Sequence, residues 1–477
     1  MNFDRLLIGG EWRAPATSNT LTVHSPHDGR VVGTAPAGSL ADIDAAVALA
    51  RAAFDQGNWA NASVAERVAP VERLTALFTE RMDPMAELIT SENGSPITFS
   101  KLGQVGGPLM MLLSLPAQAA AIEWEQTRPG TTSAGFTVRK EPVGVVGAIT
   151  AWNVPQLLIV AKIIPALLTG CTVVLKPSPE TPLDALFLAQ MIDEAGFPPG
   201  VISVVPGDGS AGEHLVGHPD VDKITFTGST AVGRRIGARC GEDLRRVTLE
   251  LGGKSAAIVL DDADIDKTVT GLRFSSFMNN GQACAAQTRI LVSRANHDAF
   301  VDAMAASVGE MACGDPFDEA TEVGPLVSAR QWERVQGYIN IGEEEGARAI
   351  VGGAGKPAGL EAGNYVKPTL FTNVDNKMRI AQEEIFGPVI CVIPYDDVDD
   401  AVRIANDSNY GLGGSVWTGD RDAGLDIAHR VRAGSFGINN YGPDTSSPFG
   451  GFKASGIGRE WGDEGLADFL ELKSIQG

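Results

Sequence analysis

From residue 143 to residue 239 the chain alternates short apolar runs with stretches of helical length. No other feature restricts the fold as much. Residues 143–152 read as a strand, 156–169 as a helix, 172–175 as a strand and 183–195 as a helix that stops at Gly196. A strand at 201–205, a short helix at 211–216, a strand at 223–226 and a helix at 231–239 continue the pattern. Strand–helix repeats need crossover connections, so the strands run parallel and the helices cover the faces of the sheet. Such sheets bind nucleotides at the carboxyl ends of their strands.

A second alternating block begins near Lys254. Strands are expected at 256–260, 289–292, 389–393 and 414–417, and helices near 264–278, 299–312, 330–345, 398–406 and 423–431. The opening residues read as strands and turns, followed by an amphipathic helix at 42–54 on which Ile43, Val47, Ala50 and Phe54 share a face. Residues 136–140 alternate, and with a strand-like C-terminal tail they are expected to form an edge ribbon. A chain of 477 residues is too long for one ordinary core, so two or three domains are expected. The fold class is α/β.

Composition narrows the function. A net charge of −21 repels nucleic-acid phosphates and anionic membranes. No nucleic-acid or membrane partner is expected. The most apolar stretch, 154–175, is interrupted by Pro155, Lys162, Pro165 and Gly170, which fits a buried helix and strand and not a membrane span. The five cysteines (Cys171, Cys240, Cys284, Cys313 and Cys391) are far apart, with no CxxC pair. That pattern argues against a disulfide framework or a metal cluster and for a reducing compartment. No secretory signal is read at the N-terminus, so a cytoplasmic location is expected.

Chemistry-bearing residues gather in a few segments. Gly207, Gly209 and Gly212 form a GxGxxG after a strand and before a helix, like a dinucleotide fingerprint, but alone this is a weak signal. Gly228 to Gly233 is spaced like a phosphate loop, yet Arg234 and Arg235 follow where Lys and Ser/Thr would stand. Backbone N–H groups and Ser229 still meet there at a helix start, where a phosphate is favoured. Cys284 lies among small polar neighbours that leave room for a substrate, whereas the other four cysteines read as small buried apolar groups. A thiolate is a strong nucleophile when its pKa is lowered. Glu250 ends an apolar run ahead of two glycines, where a carboxylate is either a buried general base or an exposed strand-edge group. Asn153, at the end of the first sheet strand, either donates to an oxyanion or simply turns the chain before Pro155.

The segments AWNVP, VVLKPSPETP, ITFTGST, LELGGK, GQAC, EEIFGPV and PFGGFKASGIGRE follow one another in an order and spacing that resemble the aldehyde dehydrogenase superfamily over nearly the whole chain. The resemblance implies a Rossmann-like cofactor-binding domain (1–122 and 143–252), an α/β catalytic domain (253–452), and a small oligomerisation ribbon with the tail (123–142 and 453–477). It implies a homodimer or homotetramer and an aldehyde substrate oxidised with NAD, with NADP as the second candidate cofactor; no metal is implied. By resemblance Cys284 is the nucleophile, Glu250 activates water, and Asn153 with the Cys284 N–H forms the oxyanion hole. Lys162 and Glu460 are proton-relay or structural partners. Cofactor contacts fall on Thr150, Ala151, Trp152, Lys176, Ser178, Gly209, Phe226, Gly228, Ser229, Val232, Leu251, Gly252, Glu384 and Phe386. Substrate contacts fall on Val154, Leu158, Ala161, Ala283, Ala285 and Phe449.

This chain departs from the family pattern at several positions. Val154 stands where an aromatic is frequent and Ala161 where a bulky residue often lines the substrate tunnel, so a roomy apolar channel and bulky or long apolar aldehydes are expected. Pro179 occupies the place of a ribose-binding Glu found in many NAD-specific members, and Glu180 follows it directly. Two rivals are a CoA-acylating enzyme, which needs no water-activating carboxylate, and a cofactor-independent cysteine esterase. A non-catalytic binding protein needs none of Cys284, Glu250 and Asn153.

Overall fold

The computed structural model describes residues 1–442 and 444–476. The first alternating block forms a sheet of eight strands. Its parallel centre runs in the order Arg246–Glu250, Lys223–Thr227, Val145–Ile149, Thr172–Lys176, Ile202–Val204. Leu6–Ile8 pairs antiparallel with Ile202–Val204 and carries Glu11–Arg13 at one edge. The two-residue strand Gly456–Ile457 closes the other edge against Leu249 and Glu250. Strand side chains alternate between two apolar clusters: Val146, Ala148, Val173 and Leu175 face one, and Val145, Ile149, Val174 and Ile224 face the other. Burial on both faces explains why these strands read as continuous apolar runs.

The second block forms a seven-stranded sheet in the order Arg348–Val351, Thr369–Thr372, Val389–Tyr395, Gln287–Ser293, Ser255–Val259, Gly413–Trp417, Ser435–Ile438. All neighbours are parallel except the first pair. Three of these strands, Arg348–Val351, Thr369–Thr372 and Ser435–Ile438, were not expected from the sequence, because each is only four residues long. Cys171, Cys240 and Cys391 are fully buried core groups, as expected, whereas Cys313 is only partly buried, and all five cysteines are free.

The ribbon is a three-stranded antiparallel sheet in which Phe136–Pro142 lies between Glu125–Arg128 and Leu470–Gln476. Of the tail, only Leu470–Gln476 joins it. Gly456–Ile457 belongs to the first sheet, and the helix Gly462–Ala467 packs on the helices of the first block. In the helix Pro155–Thr169 every residue except Leu157 is buried. A helix apolar all round has to sit inside the protein. Proline at its first turn and left-handed Gly170 at its end set its limits. No described helix is long and apolar enough to cross a membrane.

One connection positions the whole site. The last parallel strand of the first sheet ends at Glu250, and after four intervening residues the second sheet begins at Ser255. The carboxyl edge of the first sheet therefore faces the amino edge of the second. In the first sheet, successive strands go to opposite sides of Val145–Ile149, so the crevice beside it is a topological switch point.

Candidate active site

Cys284 sits in the loop that enters Gln287–Ser293, and it is half-buried against the cluster holding Ala161, Ala285, Tyr441, Phe449 and Trp461. The loop is held by buried amides. Asn279, Asn280 and Gly281 take three successive left-handed conformations, with φ of 52°, 61° and 71°. Asn tolerates this region better than most residues. Asn280 donates to the carbonyls of Gly94 and Pro325, and Gln282 Oε1 accepts from Val327 N–H. Burial first, then the nearby carboxyls of Glu384 and Glu250, push the thiol up to about 12. At rest it is therefore protonated.

Glu250 closes its strand pointing inward, with 3% of its surface exposed. The strand is not an edge: Gly456–Ile457 covers it. The exposed-edge alternative raised by the sequence is thereby removed. Both carboxyl oxygens are buried without a hydrogen-bond partner. Burial, with the Glu460 charge nearby, holds its pKa well above the usual range, against the opposing pull of Lys162 and Arg459. Space is tight here, since a Cβ on Gly450, whose φ is +154°, would lie 2.7 Å from Glu250 Oε1.

Lys162 and Glu460 form a buried ion pair. Lys162 also donates to Thr227 Oγ1 at 2.6 Å, and Thr225 Oγ1 donates to Glu460 Oε1 at 3.3 Å. Asn153 is 4% exposed, and its Nδ2 donates to Gln282 O at 3.1 Å. That bond ties the strand end to the cysteine loop and leaves the second N–H of the amide without a partner among the described residues.

The residues assigned to a cofactor line both edges of the crevice. Lys176, 5% exposed, donates to the carbonyls of Gly207 and Pro177 at 2.7 and 2.9 Å. Burial brings its pKa down to about 8. Thr150 Oγ1 is buried without a partner. Gly228 packs on Phe226, where a Cβ would come within 2.4 Å of the ring. Ser229 caps the helix Thr230–Glu242 by accepting from Val232 N–H. Leu251 is buried against Gly233 of that helix. Glu384 accepts from Gly253 N–H at 3.0 Å, burial raises its carboxyl to about 7, and a Cβ on Gly252 would collide with it. Phe386, at φ 65°, meets Trp152 edge-on at 5.4 Å. Ala151 lies between Thr150 and Trp152 in the same turn.

The GxGxxG segment is closed by its own side chain. Asp208 caps the helix Gly209–Gly217 by accepting from Ser210 and Ala211 N–H groups, so the donors a pyrophosphate would use are taken. Gly209 itself borders open space. Ser178 Oγ donates to Glu180 at 2.6 Å, and Glu180 pairs with Arg330 at 2.8 Å. Glu180 therefore turns back past Pro179 toward the Lys176 end of the crevice.

Of the residues expected from the sequence to contact substrate, Ala161, Ala285 and Phe449 share the apolar cluster against which Cys284 packs, and Ala283 adjoins Cys284 in the loop. Val154 and Leu158 lie on the first turn of the helix outside that cluster; Leu157 packs on it instead. Gly107 adds room there, because a Cβ on it would touch Leu157 at 3.4 Å. Sequence reasoning missed Gly107, Tyr441 and the amides Asn93, Gln104 and Asn279. Asn279 lay within a segment already singled out, and two successive asparagines ahead of Gly281 were the available signal.

The chain matches the model of the aldehyde dehydrogenase family over residues 12–475. It is 45% identical to geranial dehydrogenase of Castellaniella defragrans over 475 residues, covering 100% of this chain and 99% of that one. It is 41% identical to 3-succinoylsemialdehyde-pyridine dehydrogenase of a Pseudomonas species, covering 100% and 99%. Its structure superposes on that of a Mycobacterium tuberculosis aldehyde dehydrogenase complexed with NAD+ with a TM-score of 0.98, at 50% identity and with 99% and 98% of the chains covered. For a Pseudomonas syringae aldehyde dehydrogenase C variant in complex with NAD+ and octanal the TM-score is 0.96, at 40% identity and with 99% and 96% covered. The chain belongs to the aldehyde dehydrogenase family.

Proposed function

We propose that this protein oxidises an apolar aldehyde to its carboxylic acid, with Cys284 as nucleophile, Glu250 as the base for hydrolysis and NAD as oxidant. The observation that carries the reading is the meeting of a half-buried thiol, an inward carboxyl without partners and an amide with a free N–H at the junction of the two sheets. The crevice suits a dinucleotide. Ser229 marks a helix start with N–H groups to offer, Gly228 leaves no side chain in the way, Lys176 contacts only carbonyls, and the Glu384 carboxyl is fixed by Gly253. Bound there, NAD supplies the acceptor for the hydride that leaves the substrate carbon.

Cys284 gives its proton to solvent water as its sulfur bonds to the carbonyl carbon, which moves an electron pair onto the oxygen. Asn153 Nδ2 and the Cys284 N–H meet that charge; such a donor contributes about 3–4 kcal/mol. After hydride loss the acyl group is a thioester on Cys284. Glu250 in its ionised form takes a proton from water, whose oxygen attacks the thioester carbon; the C–S bond breaks, and the departing sulfur takes that proton back from Glu250 as the thiol re-forms. Because burial raises the Glu250 pKa, its ionised fraction grows with rising pH over a range higher than an ordinary carboxylate's, and deacylation speeds up in the same direction.

Ala161, Ala285 and Gly107 support a substrate larger than acetaldehyde. Relatives named for geranial and crystallised with octanal lie on the same side. The division into cofactor, catalytic and ribbon domains, and assembly through the ribbon into dimers or tetramers, belong to the same proposal. The test is a panel from acetaldehyde to octanal and geranial, with NAD and NADP side by side and the product identified. Higher kcat/KM for the long aldehydes and free acid as product are expected. Acyl-CoA formation, or acetaldehyde as the best substrate, contradicts the reading. Glu180 disfavours a 2′-phosphate by like charge. Glu180→Ala is expected to raise the NADP-to-NAD ratio of kcat/KM by about tenfold, on the order of 1–2 kcal/mol.

A further inference from the structure

Three buried amides converge on one backbone carbonyl next to the reacting thiol. Asn153 O accepts from Asn279 Nδ2 at 2.8 Å, Gln104 Nε2 at 2.9 Å and Asn93 Nδ2 at 3.3 Å. Asn279 Nδ2 also reaches Gln282 O at 3.2 Å, the carbonyl that receives Asn153 Nδ2 at 3.1 Å. Asn279 therefore links the strand end carrying Asn153 to the loop carrying Cys284. Its amide has two unlike ends, and only the NH2 end can serve both carbonyls. Gln104 Nε2, 3.4 Å from Asn279 Oδ1, engages the other end and selects that orientation.

Gln104 comes from the π-helical segment Ser100–Gly106 and is fully buried. Segments of this kind are rare and concentrate at functional sites. Its Oε1 is buried with no donor, an arrangement that costs stability and that an apolar side chain would avoid. Retaining it makes sense if the Nε2 end serves the site more than the fold.

We infer that Gln104 is a positioning residue for the reaction: through Asn279 it fixes the distance between Asn153 Nδ2 and the Cys284 loop, and so places the oxyanion donor. The inference rests on the aldehyde-oxidising reading. Oxyanion stabilisation depends on donors placed beforehand, and a displacement of about 1 Å costs up to about 100-fold in rate.

The test uses the full chain. Cys284-dependent aldehyde oxidation by the unsubstituted enzyme is measured first, so failure of the underlying reading appears there and not in the variants. Gln104→Leu is expected to slow single-turnover NAD reduction by about 10–100-fold. Aldehyde KM, NAD Kd and the rate at which iodoacetamide alkylates Cys284 should stay within about twofold. Its melting temperature should change little, since removal of the buried unsatisfied oxygen offsets part of the loss of the Nε2 hydrogen bonds to Asn153, Asn279 and Ser95. Gln104→Glu keeps the shape but donates only when protonated, so its rate relative to the unsubstituted enzyme should rise as pH falls. A Gln104→Leu enzyme that reduces NAD at the unsubstituted rate overturns the inference. So does a parallel fall in rate, alkylation and melting temperature, which marks a purely structural side chain. Should Gln104→Leu fail to fold, a Gln104→Glu rate ratio that is flat with pH overturns it.

Discussion

Glu250→Gln is expected to produce a burst of about one NADH per active site followed by turnover slowed about 100–10,000-fold, the range for loss of a positioned general base. The burst survives because the acylation half of the reaction does not use this carboxyl. Its charge in fact opposes ionisation of the Cys284 thiol. A neutral glutamine of the same shape removes that opposition, so the burst should be as fast as before or faster. Deacylation stalls because the other two buried carboxyls beside the site are committed: Glu460 is engaged by Lys162 and Thr225, and Glu384 is held by Gly253. Rapid mixing of enzyme, NAD and octanal resolves the two phases. Loss of the burst together with turnover would mean that Glu250 takes the thiol proton as well, and the division of labour argued above would be wrong.

Lys162→Met is expected to destabilise the protein by about 3–5 kcal/mol, because Glu460 is left as an uncompensated charge with 4% of its surface exposed. Lys162→Met combined with Glu460→Leu should recover most of that loss, since replacing both members of a buried pair with apolar groups is close to neutral. Denaturant midpoints of the single and double variants measure the difference. The single variant also bears on catalysis. Lys162 lowers the proton affinity of Glu250 while Glu460 raises it. Without Lys162 the Glu250 pKa moves further up, and the rise of the deacylation rate with pH shifts to still higher pH. A single variant as stable as the unsubstituted chain, with an unmoved pH profile, would show that the pair carries neither role.

Periodicity was enough to read most of the two α/β blocks. The central strands of both sheets are buried on both faces, so most of them read as apolar runs between helices, whereas outer strands such as Ser435–Ile438 are only partly buried and do not. The reacting groups were legible for a related reason. Glu250 sits in such a run, where a carboxylate is out of place, and Cys284 sits among small residues that do not fill space. What stayed hidden depends on contacts distant in sequence. Gly456 and Ile457 cover Glu250 from some 200 residues away, a strand of two residues that no local pattern marks. The GxGxxG fingerprint hides a local detail instead: Asp208 takes up the Ser210 and Ala211 N–H groups through a side-chain turn that the motif does not record. Gln104 could not be read at all, because its value lies in where a π-helical turn aims one amide.

The measurement that tests the central claim most directly is NADH formation from octanal and from geranial by the unsubstituted protein and by Cys284→Ala, at equal concentration and with folding checked for both. The account predicts steady NADH formation by the first and none above background by the second. NADH formation by Cys284→Ala at the unsubstituted rate, or none from either folded protein with any aldehyde, would contradict it.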